Sequence, residues 1–349
     1  MEPQQSLRVV VATPLSEELA AEIAQSAPRI ELVFEPELLP PSRHPGDHVG
    51  DPSFQQTPEQ EARFEQLLAS ADVLYGIPGE EPARLRAVVE HNPQLRWVQA
   101  MLAGGGSQLR AAGLSDEQLA RVTVTTSAGV HAEPLAEFAL MGLLAGAKDL
   151  GKLIQRQAER RWGERWTMSM LSGQRVLVAG MGHIGRATAK KATALGARVF
   201  GLGRSEADEV IEVIHPDDLV ARIGEFDSVV LALPATAATE HMFNDEVFRA
   251  MKPATTLVNV GRGSVVDESA LLRAIEAGTV GFAALDVFEV EPLPASSPLW
   301  ELPSVLISPH TGALNPAEDR LIAQLFVENV GRYLDGRPLL NVVNTREFY

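Results

Sequence analysis

The feature that most restricts how this chain can fold is the run Val176-Leu177-Val178-Ala179-Gly180-Met181-Gly182-His183-Ile184-Gly185. Four apolar residues in succession read as a buried strand, and the glycines that follow at the first, third and sixth places lead into a helical pattern over 186–195. A strand that is apolar throughout has no solvent face, so it belongs in a parallel sheet covered on both sides by helices. In that setting Gly180 permits the tight turn, Gly182 lets the backbone reach a pyrophosphate, and Gly185 lets the helix pack on the strand. Glycine-rich turns also serve purely structural ends, but strand, triplet and helix in this order favour dinucleotide binding. Gly180, Gly182, His183, Ile184 and Gly185 are therefore candidate cofactor contacts, His183 through its backbone.

The rest of the chain repeats the alternation of strand and helix. Apolar runs at 9–12, 30–34, 72–76, 95–100 and 122–125 read as strands, with helices such as 18–24 and 58–69 between them. A second series has strands at 176–179, 197–202, 228–233, 256–260 and 281–285, and a last helix is expected over 317–334. Between the two series, one long helical pattern runs from His131 to about Arg161. Its small residues Ala136, Ala139, Gly142, Ala145 and Gly146 would permit close packing, and it is expected to link two domains. At 349 residues the chain exceeds what one core usually organises. The expected class is α/β, with two Rossmann-like, doubly wound parallel-sheet domains. From Glu35 to Thr57 the pattern stops and proline, histidine, glycine and aspartate dominate. That is a long loop, either a lid or a disordered insertion. Its His44 and His48 read as solvated rather than as metal ligands, and no metal is expected.

Composition narrows the function classes. With 45% hydrophobic residues and apolar runs such as 138–147 that fall short of a membrane span, no transmembrane helix is expected. The first residues lack the basic region and cleavage site of a signal peptide, so a cytoplasmic location is the expectation. The absence of cysteine excludes disulfides, thiolate zinc sites and cysteine nucleophiles. A formal charge of -16 opposes binding to nucleic acid or to an anionic membrane. It also repels anionic substrates at long range, so such a ligand needs local arginines and backbone amides.

Where an acid would bind the adenosine ribose of NAD, about 20 residues beyond the glycines, the chain reads Gly203-Arg204-Ser205. A guanidinium and a hydroxyl suit a 2'-phosphate better than two free hydroxyls, so Arg204 and Ser205 point to NADP rather than NAD. A surface arginine is the bland alternative, and Glu206 works against the assignment.

Three polar segments end strands further on: Asn259-Val260-Gly261-Arg262-Gly263, the stretch from Asp286 to Glu291 with Pro292, and Ser308 to Gly312 around His310. Ligands bind at the carboxyl ends of strands in such sheets, so the three are expected to converge. Singly, Arg262 could be a surface ion pair, Glu291 a solvated acid and His310 a helix-entry residue. Coincidence of all three is harder to explain.

At this point the chain closely resembles the D-2-hydroxyacid dehydrogenase family, on its glyoxylate/hydroxypyruvate reductase-like side. The resemblance rests on Gly180 to Gly185, Leu233-Pro234 with Thr236 and Thr239, Met251-Lys252-Pro253, Asn259 to Gly263, Leu285-Asp286-Val287-Phe288 with Glu291-Pro292, and Pro309-His310-Thr311-Gly312. It covers 171–313 closely and the N-terminal third loosely. It implies that Arg262 holds the substrate carboxylate and carbonyl oxygen, that His310 exchanges a proton with the C2 oxygen, and that Glu291 pairs with the imidazole. A carboxylate beside an imidazole favours its protonated form, which agrees with that assignment. Leu233, Pro234, Thr239, Val260, Gly261 and Gly312 would complete the cofactor contacts, and Asp286 would bind the nicotinamide amide.

The resemblance further implies a discontinuous, flavodoxin-like substrate domain (1–131 and 313–349) around a cofactor domain (132–312), and a homodimer formed through the cofactor domain and linker helix. In the substrate domain, Trp97-Val98-Gln99 precedes a loop whose backbone amides at Leu102, Ala103 and Gly104 would bind the anion. Gly76, Ile77 and Pro78 would form another wall, with Trp300 reaching it. The chain departs from the family at Gly105-Gly106, where an aliphatic residue and an aspartate are usual. Relatives that act as dinucleotide-sensing, peptide-binding corepressors are the competing class, and a phosphite dehydrogenase-like enzyme is a second alternative. Glu291 argues against a formate dehydrogenase, which lacks the acid. Glyoxylate and hydroxypyruvate are the first substrates to expect.

Overall fold

The computed structural model describes residues 6–27, 29–203, 211–346 and 348. It divides into two compact units, Met1–His131 with Leu314–Tyr349, and Ala132–Ala313.

The first unit alternates β1 (Leu7–Val11), α1 (Glu17–Ser26), β2 (Ile30–Val33), α2 (Pro58–Ala69), β3 (Val73–Tyr75), α3 (Pro82–His91), β4 (Trp97–Gln99), α4 (Gly105–Ala112), α5 (Asp116–Arg121) and β5 (Thr123–Thr125). Its strands pair in parallel in the order β2-β1-β3-β4-β5. This is the flavodoxin-like order, whose direction reverses between β1 and β3. Helix starts follow local chemistry. Ser16 accepts the Leu19 N–H at 3.2 Å, and Thr57 with Gln60 forms a reciprocal capping box that starts α2.

The second unit opens with α6 (Ala132–Ala147) and α7 (Leu150–Ala158). It continues through β6 (Arg175–Ala179), α8 (His183–Ala194), β7 (Arg198–Leu202), β8 (Val213–Ile214), α9 (Leu219–Arg222), β9 (Ser228–Leu231), α10 (Asp245–Ala250), β10 (Thr255–Asn259), α11 (Glu268–Glu276), β11 (Val280–Leu285) and β12 (Val305–Ile307). The strands are parallel in the order β12-β11-β10-β9-β6-β7-β8, a Rossmann order extended by one strand, with its switch point between β6 and β9. Strands β6, β9 and β10 are buried along nearly their whole length, the polar Ser228, Thr255, Thr256 and Asn259 included, as in a parallel sheet covered on both faces. The chain then returns to the first unit as α12 (Glu318–Leu334). Phe326 of this helix stacks on Trp97 at 5.0 Å and meets Tyr75 edge-on at 5.0 Å. All three rings are buried, and each such pair adds roughly 1 kcal/mol beyond its area.

The single long helix expected over 131–161 is two helices. Asp149, at φ 50°, takes a left-handed conformation that ends α6, and its carboxylate accepts the Trp166 indole N–H at 2.6 Å. Periodicity does not register one left-handed residue between two helical segments. The small-residue face of α6 packs on the sheet, where a β-carbon at Gly146 would stand 2.1 Å from the Thr256 hydroxyl.

The segment 35–57 is neither structureless nor solvated throughout. Asp47 accepts from the Arg43 guanidinium at 2.7 and 2.8 Å and from the Gly50 N–H at 3.0 Å, while the His48 carbonyl accepts the Thr13 hydroxyl at 2.8 Å. His44 is exposed but His48 is buried. Among the described residues no helix is long and apolar enough to cross a membrane.

Candidate active site

The glycine turn leaves β6 at the switch point. Gly180 has φ 96°, a conformation that side chains resist, and its N–H donates to the Leu202 carbonyl at 3.0 Å. A β-carbon on Gly185 would lie 1.9 Å from the Gly180 carbonyl oxygen, so only glycine lets α8 approach the strand this closely. At Gly182 a β-carbon would meet no described atom within 4 Å. As the N-cap of α8, Gly182 also brings no side-chain acceptor to the first-turn N–H groups. Free donors facing open space at a helix N-terminus fit a dinucleotide pyrophosphate. His183, the first residue of α8, is exposed, and Ile184 follows it half-buried.

Gly261 packs closely on the segment that leaves β9, its β-carbon position lying 2.7 Å from the Leu233 carbonyl oxygen. Thr239 donates to the Pro234 carbonyl at 2.6 Å and so shapes the loop after β9. Val260 is buried beneath it. Leu233, Pro234, Thr239, Val260 and Gly261 therefore surround the carboxyl ends of β9 and β10. Arg204 and Ser205 lie outside the described residues.

The loop after β10 is stapled by the buried Asn259, whose amide donates to the Arg262 carbonyl at 3.1 Å and accepts the Gly261 N–H at 3.0 Å. Arg262 donates to the Gly261 carbonyl at 2.7 Å. Burial pushes its guanidinium below the usual arginine range, opposed by the charge of Glu291.

Glu291 accepts the Phe288 N–H at 2.9 Å through one oxygen, while the other lies 2.7 Å from Nδ1 of His310. A carboxylate can only accept, so Nδ1 carries the hydrogen and Nε2 faces away from the pair. His310 is itself at φ 54°, held by its N–H to the Asp286 carbonyl at 3.0 Å. Asp286 is almost fully buried, and one of its oxygens accepts from the Ser308 hydroxyl at 2.6 Å, the Thr311 N–H at 3.1 Å and the Gly312 N–H at 2.9 Å. Its carboxylate thus orders the backbone on either side of His310, a task that sequence reading missed along with the part of Ser308. No spacing rule exposes that bond, because it joins two strand ends 22 residues apart.

The residues expected to receive a substrate's anionic end lie at the carboxyl ends of strands in the first unit. Gly76, at φ 97°, packs against Thr13. Ile77 is fully buried. Leu102 and Ala103 are exposed, and Gly104 caps α4. Gln108 donates to the Glu80 carbonyl at 3.0 Å and to its carboxylate at 2.8 Å, tying α4 to the turn after β3. The departure at Gly105-Gly106 has a packing reason: a β-carbon at Gly105 would sit 2.8 Å from that of Ala100. Trp300 is half-exposed and donates to the Pro294 carbonyl at 3.0 Å.

A doubly wound parallel sheet with a glycine turn at its switch point, and an Arg, Glu and His at neighbouring strand ends, defines a dinucleotide-dependent oxidoreductase. Residues 140–312 match the family model described as D-isomer specific 2-hydroxyacid dehydrogenase, NAD binding domain. The glyoxylate/hydroxypyruvate reductase B of Pectobacterium atrosepticum is 32% identical over 291 residues, covering 79% of this chain and 87% of that one. The glyoxylate reductase of Korarchaeum cryptofilum is 33% identical over 231 residues, 64% of this chain and 69% of its own. Among solved structures, a D-isomer specific 2-hydroxyacid dehydrogenase from Xanthobacter autotrophicus, in complex with NADPH and MES, superposes with TM-score 0.77 at 28% identity, covering 99% of this chain and 100% of that one. The chain belongs to the D-isomer specific 2-hydroxyacid dehydrogenase family. It is an NAD(P)-dependent oxidoreductase acting on the CH–OH group.

Proposed function

We propose that this protein reduces small 2-keto acids, glyoxylate and hydroxypyruvate first among them, to D-2-hydroxy acids, with NADPH preferred over NADH. The observation that carries this reading is the 2.7 Å contact of His310 with Glu291, with Arg262 beside Glu291 in the same unit as the glycine turn. The names of the Pectobacterium and Korarchaeum relatives support the substrate class, and the NADPH held by the Xanthobacter protein supports the coenzyme. Arg204 and Ser205 support it from the sequence.

The nicotinamide of a dinucleotide bound at the glycine turn would supply the hydride for C2. Arg262 binds carboxylate and carbonyl oxygens with its planar fork, which also polarises the carbonyl. In the first unit, the backbone amides of Leu102, Ala103 and Gly104 bind a carboxylate, with Gly76 and Ile77 as another wall. His310, as imidazolium, gives the Nε2 proton to the C2 oxygen as negative charge develops there, and Glu291 steadies the charged ring through Nδ1. Asp286 holds the loop that presents His310 and would be the residue to hold the nicotinamide amide. Two copies associate through α6 and α7, where Ile154 and, beyond the helix, the 94% exposed Trp162 present apolar surface.

The test is a panel of 2-keto acids with NADH and with NADPH, followed by cofactor absorbance. Turnover of glyoxylate and hydroxypyruvate with a higher kcat/KM for NADPH is expected. Tight coenzyme binding without turnover of any keto acid would favour the sensing corepressor instead.

A further inference from the structure

Outside the His310–Glu291 pair, three charged groups that this mechanism does not use gather around the short loop carrying Glu291. Glu268 stands in the first turn of α11, behind the N-cap Asp267, whose side chain accepts the Ala270 N–H at 2.9 Å. Acids are common there because they complement the helix dipole, and a residue with that task alone would face water. Glu268 is instead half-buried, and its carboxylate accepts the Glu289 N–H at 2.7 Å. The Glu289 side chain pairs with Nε2 of His241, a residue at φ 46° whose own N–H donates to the Ser264 carbonyl at 2.8 Å. Behind the loop there is no slack. A β-carbon on Gly263 would fall 1.9 Å from the Phe288 carbonyl carbon and 2.5 Å from the Glu289 nitrogen. The Phe288 N–H then closes onto Glu291.

The loop is therefore gripped at successive residues: Phe288 by Glu291 itself, the Glu289 backbone by Glu268, and the Glu289 side chain by His241. We propose that Glu268 is a positioning residue for the His310–Glu291 pair, fixing through the Glu289 N–H the loop that presents Glu291 and adding its charge to the negative field around the pair. The inference rests on the roles given above to His310 and Glu291. The charged and titratable groups concerned are Glu268, Glu289, Glu291, His241, His310, Asp267 and Arg262. Burial pushes the Glu268 carboxyl up, the Glu289 N–H lowers it, and the neighbouring charges of Glu289 and Glu291 raise it further. A carboxyl kept in this costly surrounding, where a neutral acceptor would be easier to bury, agrees with a function for its charge.

Two substitutions separate the acceptor from the charge. In the holoenzyme, Glu268→Ala removes both and is expected to lower kcat of keto-acid reduction tenfold or more, with KM for NADPH within about twofold. Glu268→Gln keeps the acceptor oxygen and is expected to restore most of kcat below neutral pH. Its high-pH limb of reduction moves to lower pH, because one negative charge near the imidazolium is gone. His241→Gln, at an exposed position, should lower kcat a few-fold without changing the coenzyme KM. Wild-type kcat in Glu268→Ala overturns the proposal, and so does an equal loss in Ala and Gln variants with a lowered Tm or an unmoved pH limb. His310→Ala run in parallel separates the two claims: if it turns over like wild type, the underlying reading fails first, whereas its loss beside an active Glu268→Ala rejects only the positioning role.

Discussion

His310 occupies a left-handed backbone conformation, which costs a side chain on the order of 1–3 kcal/mol and persists only where surrounding contacts impose it. Here the imposing contacts are its N–H to the Asp286 carbonyl and its ring to Glu291. Keto-acid reduction needs the imidazolium and the reverse oxidation needs the neutral ring, so reduction should fall and oxidation rise as pH increases. Glu291→Gln removes the negative partner of the ring, so the reduction limb should move to lower pH. Profiles of kcat against pH in both directions check this; an unmoved limb removes Glu291 from the relay. Arg262→Lys should lose most of kcat/KM for keto acids and leave coenzyme affinity nearly intact, because an ammonium cannot reproduce the planar fork. Arg262, Glu291 and His310 were legible in the sequence through the motifs around them. Glu268 was not, since an acid behind an aspartate N-cap has an ordinary local explanation.

At the scale of elements, the strand, turn and helix at 175–194 act as one part. The Gly185 contact with the Gly180 carbonyl leaves no room for a side chain, so Gly185→Val should push α8 away from β6. The expected result is coenzyme binding weakened at least tenfold together with a lower Tm, read by fluorescence titration and thermal unfolding. Unchanged NADPH affinity would show that the helix N-terminus does not hold the phosphates. Strand positions were readable because a covered parallel sheet leaves its mark as uninterrupted apolar runs. The ends were less so: the run expected over 72–76 stops at Tyr75 because Gly76 turns out of the extended conformation. The break between α6 and α7 was invisible for the same kind of reason, a single positive φ at Asp149.

At the scale of the whole molecule, the first unit is built from both ends of the chain and joined by a buried carboxylate. Glu318, at the start of α12, lies 2.9 Å from Nε2 of His131 and 3.5 Å from Nε2 of His48, and all three side chains are buried. Burial alone would push the carboxyl up, but the hydrogen bond to His131 and the nearby ring of His48 outweigh it and hold it down at about 2. A carboxyl depressed on folding contributes stability that is fully present above its unfolded value and lost as pH falls through the folded one. Glu318→Gln should therefore cost roughly 3 kcal/mol at pH 7, with the gap to wild type closing between about pH 4.5 and pH 2. Urea unfolding across that range measures it, and a constant gap would assign the loss to packing instead.

Apolar runs, the glycine triplet and the ordered motifs over 171–313 sufficed for the class of fold, the dinucleotide turn and the three residues proposed for the chemistry. Each of these is a local pattern, carried by neighbours in the chain. Tertiary structure alone decided the rest: that His48 is buried against Glu318, that the segment 35–57 folds onto the first unit, that Asp286 binds Ser308 and the backbone beyond His310, and that Glu268 grips the loop of Glu291. These contacts join residues far apart in the chain and depend on distances of a few tenths of an ångström and on the sign of single φ angles. Hydrophobic periodicity carries neither quantity, since it records which face of an element is buried and not what that face meets.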